Sequence, residues 1–171
     1  MPSDFTSAVA DLRARITNPE QSAFFDYWLA CFKPGGLPAR SDLDPLDFPS
    51  LLPRIALIDV LREPGGLAFR YRLAGTEIAS RARRDPTGKR FDELYEGDYL
   101  AQALAVYQEI ATSGLPHLSD RTFLIQGGTE ALDYERLILP LAGDGATVDM
   151  LVLLIAVIDQ RRLDDALRAF R

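Results

Sequence analysis

Apolar residues near the start of the chain recur at the spacing of an α-helix. Phe5, Val9, Leu12 and Ile16 follow one another at spacings of four, three and four residues. We call these four residues the N-terminal seam. This spacing is typical of a short amphipathic helix. Asn18 and Pro19 then signal the start of a second helix, with Gln21 placed to complete a capping box. Because Pro34 ends that helix, we expect an N-terminal helical extension over residues 1–34.

Beyond residue 50 the pattern becomes that of β-strands. Branched apolar residues fill the range 55–61, a turn with two glycines follows, and apolar and polar positions alternate over 67–73. This pattern predicts a β-hairpin. Three further strand-like ranges, separated by turns with glycine, are 118–126, 131–139 and 148–158. Nearly every position in the last range is apolar, so we expect that strand near the centre of its sheet.

Helical signals separate the two groups of strands. A short helix opens at Thr76 and is interrupted at Pro86, and a longer helix begins near Asp98 and ends at Gly114. The order of two strands, helices and three strands is typical of an α+β domain. The sequence therefore predicts a five-stranded antiparallel sheet with helices on one face, in addition to the N-terminal extension.

Composition limits the classes of protein that the chain can represent. Its 171 residues, of which 47% are hydrophobic, suit one globular domain. A net charge of −6 opposes binding to nucleic acid or to an anionic membrane. The longest apolar range, 150–158, is too short to span a bilayer, and the N-terminus has no apolar region of a secretory signal. With Cys31 as its single cysteine, the chain fits a soluble protein of the reducing cytoplasm.

Several motifs along the chain, taken in order, resemble those of a known family. They are DLDPLDFPSLLP at 42–53, IDV at 58–60, FRYRLAGT at 69–76, DPTG at 85–88 and YERLILPL at 134–141. Together with the order of elements, they resemble a divergent PAS-like family found in alphaproteobacteria, often as free-standing proteins. The resemblance implies a PAS-like core over residues 35–160, with 161–171 as a short C-terminal helix or tail, and a context in signal transduction.

The residues that would hold a cofactor in a PAS domain are misplaced in this chain. PAS domains with covalently bound flavin use a cysteine beside the pocket, whereas Cys31 lies in the N-terminal extension. Those with haem usually use a histidine on the long helix, whereas His117 follows that helix. Asp42, Asp44 and Asp47 lack the glycine and glutamate of a calcium loop, so we interpret them as helix caps and turns. We expect neither a cofactor nor a bound metal.

Aromatic residues are the candidate ligand-binding positions. If the long helix lies over the sheet, seven of them converge: Tyr71, Phe91, Tyr95, Tyr99, Tyr107, Phe123 and Tyr134. In a PAS fold that place is the ligand cavity, and phenols on apolar walls suit a small organic ligand, although the same side chains can simply fill a core. A basic run in the acidic chain consists of Arg81, Arg83, Arg84, Lys89 and Arg90. It could receive an acidic partner or form a solvated face.

No catalytic constellation is recognisable, because the chain has one histidine and no Gly-x-Ser-x-Gly motif. The sequence therefore predicts a non-enzymatic, stand-alone sensory or regulatory domain that binds a small molecule or a signalling protein and signals through contact. The alternative is a small enzyme with an α+β cup, of isomerase or cyclase type, that acts on a hydrophobic substrate. A buried ionisable dyad in the cavity would favour the enzyme.

The sheet is expected to need cover on both faces. In the ranges 55–61 and 150–158 both alternating sets of positions are apolar. We expect the N-terminal seam to meet a second copy about a two-fold axis, which makes the protein a homodimer. The competing account is that both N-terminal helices fold back and cover the sheet of their own chain.

Overall fold

The computed structural model describes residues 3–125 and 129–162. Its helices and strands, in chain order, are α1 (Ser3–Arg15), α2 (Pro19–Ala30), β1 (Ile55–Glu63), β2 (Gly66–Ala74), α3 (Thr76–Ala82), α4 (Phe91–Leu94), α5 (Gly97–Ser113), β3 (His117–Leu124), β4 (Glu130–Leu141) and β5 (Met150–Arg162). Three short 3-10 turns, the last of them Pro49–Arg54, connect α2 to β1. The short helix or tail expected at the C-terminus lies mostly outside the described residues.

The five strands form one antiparallel sheet in the order β2-β1-β5-β4-β3. Strand β5 pairs with β1 on one side, where Leu154 stands opposite Ile55, and with β4 on the other, where Val152 stands opposite Leu139. The prediction that the last strand lies at the centre is thus confirmed. A central strand is buried on both faces, which is why its sequence is apolar at almost every position.

Successive residues of β5 contribute to two separate cores. Leu151 and Leu153 belong to a core beneath α3, α4 and α5, whereas Val152 and Leu154 belong to a core beneath α1 and α2. This division follows from the period of two along a strand. The sheet therefore has helices on both faces. The two predicted helices, α3 and α5, lie on one face together with the unpredicted α4, and the N-terminal extension lies on the other.

The N-terminal seam packs against its own chain. Leu12 and Ile16 are each 6% exposed within the α1 and α2 core, and Phe5 and Val9 pack against that core. The described structure therefore follows the competing account, in which the N-terminal helices fold back on the sheet. The seam is therefore not available as the free apolar surface that was the reason to expect a dimer through it.

Two side chains of α2 attach the helix to the central strands. Trp28 is fully buried and donates its indole N–H to the carbonyl of Pro140 at 3.1 Å. The buried amide of Gln21 donates to the carbonyl of Leu154 at 3.3 Å. Asn18 caps the helix as predicted, since its Oδ1 accepts from the backbone N–H of Gln21 at 3.0 Å. The capping-box role expected for the Gln21 side chain is wrong, because that side chain points to the sheet.

Gly75 allows α3 to begin directly against the preceding 3-10 turn. Its backbone N–H donates to the carbonyl of Ile55 at 2.8 Å. A Cβ at this position would lie 2.3 Å from the carbonyl oxygen of Pro53 and 2.4 Å from that of Leu52. Only glycine fits such a close approach of two backbone segments. Gly75 thereby fixes where α3 lies beside the sheet.

Candidate functional site

The seven predicted aromatic residues come from five elements and the segment between α4 and α5, and the structure brings them together. Phe91 of α4 is central, with its ring centroid 4.8 Å from that of Tyr107, 5.1 Å from that of Tyr71 and 5.8 Å from that of Tyr95. From Tyr95 the contacts continue through further rings, which are Tyr99 at 5.0 Å and, beyond it, Phe123 at 6.0 Å. The convergence expected from the sequence is therefore present on the α5 side of the sheet.

Two phenols of this group are linked by a hydrogen bond. The hydroxyl oxygens of Tyr71 and Tyr95 lie 3.0 Å apart. Burial raises the pKa of Tyr95 to about 12 and raises the pKa of Tyr71 well above its ordinary value. Burial likewise raises the pKa of Tyr134 far above 10. All three are neutral hydroxyls at physiological pH, so they can donate and accept hydrogen bonds but cannot supply a charge.

A small cavity of about 60 Å³ remains between the sheet and the helices. Its lining consists of Tyr71, Ile78, Ala82, Tyr95, Phe123, Leu132, Tyr134, Leu153 and Ile155. This volume has room for a few water molecules and is far below the roughly 300 Å³ of a small-molecule pocket. The aromatic side chains therefore fill most of the space as a core in this conformation. A larger ligand could enter only by displacing rings.

The basic run is largely neutralised within the chain. Arg81 pairs with Glu77, Arg83 pairs with Glu130 at 2.8 Å, and Arg90 pairs with Glu63 and Asp92. Consequently most of this run is not free to receive an acidic partner.

Arg84, another member of the basic run, lies at the edge of the aromatic group. Its Cζ is 5.2 Å from the ring centroid of Tyr95 and 5.8 Å from that of Phe123. No ion pair to Arg84 is present within the described ranges. The stacking places a positive charge beside the cavity, where cation-π attraction to both rings holds it.

A buried arginine that the sequence analysis did not identify contacts the aromatic group at Tyr107. Arg136 of β4 is 4% exposed, and its Nε donates to the hydroxyl of Ser119 at 3.1 Å. Its Cζ lies 5.4 Å from the ring centroid of Tyr107. Strand periodicity could have found it, because Arg136 follows Tyr134 by two residues and therefore shares its face of the sheet.

Acidic side chains of the strands do not enter the lining of the described cavity. Asp59 is 5% exposed and binds Arg70 at 2.8 Å and Arg72 at 2.6 Å across the β1–β2 hairpin. Asp59 thus joins the two strands of the hairpin through ion pairs. Glu135 follows Tyr134 directly and so faces the opposite side of the sheet. The lining of the described cavity thus consists of apolar groups and hydroxyls.

Cys31 and the aspartates of the 42–47 segment have structural roles. The thiol of Cys31 lies against the N-terminal core and donates to the carbonyl of Asp42 at 3.4 Å. Asp44 accepts from the backbone N–H of Leu46, as expected for a helix cap. In the part of the chain that the structure describes, no group of three or more His, Cys, Asp or Glu side chains is placed to hold a metal ion. None of the described helices is long and apolar enough to cross a membrane.

A second, larger concavity lies on the opposite face, where the sequence analysis expected none. Its volume is about 520 Å³, and it opens between the 3-10 segment and the β1–β2 hairpin. Apolar side chains dominate its lining, among them Leu43, Phe48, Leu52, Leu57, Leu73 and Val152. Leu52 is 37% exposed and Leu73 is 47% exposed, so the groove is open to solvent.

Comparison with known proteins agrees with this architecture. The family model described as PAS domain matches residues 16–155. No curated protein matches the chain. A structure of a light-oxygen-voltage domain studied with a flavin analogue has a TM-score of 0.50 at 12% identity, over 73% of this chain and 88% of the other.

Two further structures are similar at lower TM-scores. The LOV protein of Rhodobacter sphaeroides has a TM-score of 0.47 and 17% identity over 64% of each chain. This chain therefore spans less than two thirds of that protein. The N-terminal domain of a diguanylate cyclase with PAS/PAC sensor from Marinobacter aquaeolei has a TM-score of 0.47 and 12% identity, over 61% of this chain and 94% of the other. At such identities the likeness concerns the fold.

Proposed function

Because this chain belongs to the PAS domain family, we propose that it is a sensory or regulatory module that binds a small organic molecule, or a signalling protein, and passes on its state by contact. The observation that carries the proposal is the hydrogen-bonded pair of Tyr71 and Tyr95 beside the cavity. A ligand hydroxyl or carbonyl can replace either partner of such a pair at little energetic cost. The small-molecule form of the proposal is the one that this geometry favours.

Binding at this place has a structural route to the rest of the molecule. Tyr95 lies between α4 and α5, so a ligand that breaks its hydrogen bond to Tyr71 changes how both helices pack on the sheet. The opposite face of the same sheet carries α2, which is attached through Trp28 and Gln21. A shift on one face can therefore reach the other, where a partner would detect it.

A sensor accounts for the cavity better than an enzyme does. Catalysis by an isomerase or cyclase needs a base or acid with a suitably tuned pKa in the pocket. The titratable groups of the cavity lining are Tyr71, Tyr95 and Tyr134, and burial raises the pKa of each above 10. Such groups remain protonated at neutral pH, so they suit recognition of a ligand.

The residues present do not fit a covalently bound flavin of the kind that some PAS domains hold. The single cysteine, Cys31, packs in the α1 and α2 core on the far side of the sheet from the cavity. A thiol cannot reach across a sheet to a ligand on the other face. We propose that the ligand is not a flavin adduct and that the purified protein lacks visible-range absorbance.

Native mass spectrometry of protein purified from its own host tests the proposal. We expect a retained small molecule in the wild type and its loss from Tyr95→Phe. A matched control is Tyr27→Phe, because Tyr27 lies on the opposite face, where its hydroxyl donates to Asp47 at 2.9 Å. Retention that is equal in both variants would contradict the placement of the ligand.

We also propose that the protein is a cytoplasmic homodimer, through a surface other than the N-terminal seam. Leu124 is 58% exposed and Ile158 is 62% exposed, and both lie where β3 and β5 extend beyond the start of β1. Light scattering should report a dimer for the wild type and a monomer for the double change of these two residues to serine. Leu46→Ser is the control, because Leu46 is 83% exposed and distant in sequence from both strands. A monomeric wild type would refute the dimer.

A further inference from the structure

The buried guanidinium of Arg136 has an N–H group with no acceptor. Its Nη2 is enclosed and makes no hydrogen bond to any part of the protein in the described ranges, although the residue is only 4% exposed. Buried polar groups in folded proteins are nearly always hydrogen-bonded, and a buried charge without an opposite charge costs several kcal/mol in rough terms. This arrangement requires an explanation.

The neighbours of Arg136 on the edge strand are also donors with unused capacity. Ser119 stands directly opposite Arg136, and its strand neighbours on the same face are His117 and Arg121. The Nε2 of His117 and the Nε of Arg121 are both buried without a protein partner among the described residues. Arg121 otherwise donates to Gln102 at 3.2 Å. We call His117, Ser119, Arg121 and Arg136 the donor wall.

No carboxylate of the described chain neutralises the donor wall. Asp120 and Glu135 stand opposite one another in the strand pairing, but their positions alternate with the wall and face the α1 side. Glu109, on the solvent-exposed part of α5, acts to raise the pKa of His117, but burial together with Arg136 lowers that pKa nonetheless. Arg15 and Arg121 act in the same direction as Arg136.

The ring of Tyr107 stabilises Arg136 only in part. With Cζ 5.4 Å from the ring centroid, the guanidinium gains cation-π attraction, and the Tyr107 side chain also interacts with it through its hydroxyl. These contacts offset part of the desolvation cost of the charge, but Nη2 still has no hydrogen-bond partner among the described residues. An acceptor with a negative charge would satisfy both needs at once.

We propose that the donor wall binds the carboxylate of a small organic molecule, whose apolar part occupies the cavity beside Tyr134. Tyr134 connects the two places, since it lines the cavity, stands opposite Arg121 and shares a strand face with Arg136. A guanidinium presents a planar pair of N–H groups that matches a carboxylate. The apolar part of the ligand enters the cavity by displacing a ring of its lining. The inference rests on the proposed function and narrows it to an anionic ligand.

A pair of probes that differ in charge tests the inference on the full chain. Benzoate and benzamide have nearly the same shape, and NMR titration of amide groups reports where each binds. We expect benzoate to shift the amides of Ser119 and Tyr134 and to bind about tenfold more tightly than benzamide, as charge-assisted hydrogen bonds predict. The change Arg136→Met should reduce the affinity for benzoate to that for benzamide.

Two further variants keep the test decisive. Arg121→Met removes a half-buried member of the donor wall, and we expect it to weaken the binding of benzoate several-fold. This variant keeps the test possible if Arg136→Met does not fold. Arg84→Met tests the competing cation, because Arg84 stacks on Tyr95 and Phe123 at the edge of the cavity. Arg13→Met is the matched control, because Arg13 lies on α1 on the opposite face, where it pairs with Asp26 at 2.6 Å. Loss of benzoate binding from Arg84→Met, with none from Arg121→Met, would overturn the donor wall as the carboxylate site.

The thermal stability of Arg136→Met without ligand provides a second readout. If Arg136 is retained for a ligand, replacing its unpaired charge with an apolar side chain should leave Tm unchanged or raise it. A purely structural Arg136 would instead make Tm fall. Equal binding of benzoate and benzamide would overturn the carboxylate site but leave the proposed sensor intact. Failure of both probes to bind would overturn the site and also count against the small-molecule form of the proposed function.

Discussion

The hydroxyl groups of Tyr71 and Tyr95 share a hydrogen bond of 3.0 Å that joins β2 to the segment between α4 and α5. Tyr71 is 7% exposed, so a change at Tyr95 leaves its buried hydroxyl without its protein partner. The pair therefore stabilises the fold only while both hydroxyls are present. The proposed ligand would replace this hydrogen bond with one between a tyrosine hydroxyl and the ligand.

We expect Tyr95→Phe to lower the free energy of unfolding by about 1–2 kcal/mol, because it leaves the buried Tyr71 hydroxyl unsatisfied. The double change with Tyr71→Phe should cost less than the sum of the two single changes, since no orphaned hydroxyl remains. Urea denaturation of the four proteins measures this cycle. Additive costs would show that the two hydroxyls do not interact in solution.

Replacing Asp59 should destabilise the protein less than replacing both of its arginine partners. Removing Arg70 and Arg72 together leaves a carboxylate that is 6% exposed without a cation, and we expect about 2 kcal/mol or more of destabilisation. Asp59→Asn keeps an acceptor and leaves two arginines that reach water, so about 1 kcal/mol is expected. Urea denaturation compares them, and the reverse order would be inconsistent with a buried carboxylate.

Gly75→Ala should destabilise the protein by about 2 kcal/mol or more, because its Cβ would overlap the carbonyl oxygens of Pro53 and Leu52. The matched control is Gly65→Ala, whose Cβ has no atom within 4 Å. Calorimetric Tm values of both variants provide the measurement. A neutral Gly75→Ala would mean that the 3-10 segment can move away from α3.

Glu135 lies opposite Asp120 in the β3–β4 pairing, and burial together with this like charge raises its pKa above the ordinary 4.5. The ionised carboxylate therefore destabilises the folded state at neutral pH, and this penalty disappears as pH falls through the raised pKa toward 4.5. Glu135→Gln should raise Tm at pH 7, with a difference from wild type that shrinks on acidification. A constant difference between pH 7 and pH 4 would contradict the shift.

The order of elements along the chain and the central place of β5 could be predicted because both follow from the apolar pattern of single segments. Asn18 and Asp44 were predictable as caps for the same reason, since a cap depends on residues only two or three positions away. Gln21 shows the limit of local reasoning: its position suits a capping box, but two sheet carbonyls more than 100 residues later accept its hydrogen bonds. Such choices depend on the tertiary fold.

The sequence could predict which aromatic residues lie together at the candidate site, but not the volume of the cavity between them. Strand and helix periodicity place Tyr107 and Tyr134 on the same side of the sheet, yet whether their rings fill the space depends on side-chain packing that no sequence pattern records. The same is true of the 520 Å³ groove, which arises where 3-10 turns meet the hairpin. The alternation along β4 could have predicted which face of the sheet Arg136 occupies. It could not have predicted that Arg136 lacks an acidic partner.

Trp28 is the single tryptophan of the chain, and its indole is fully buried between α2 and the sheet, in hydrogen-bond contact with Pro140. Fluorescence that is excited selectively in the indole therefore comes from the face of the sheet opposite the aromatic cavity. A ligand in that cavity cannot touch the fluorophore directly. Any change in tryptophan emission on ligand binding would have crossed the sheet, so the wild-type protein carries an intrinsic optical reporter of communication between its two faces.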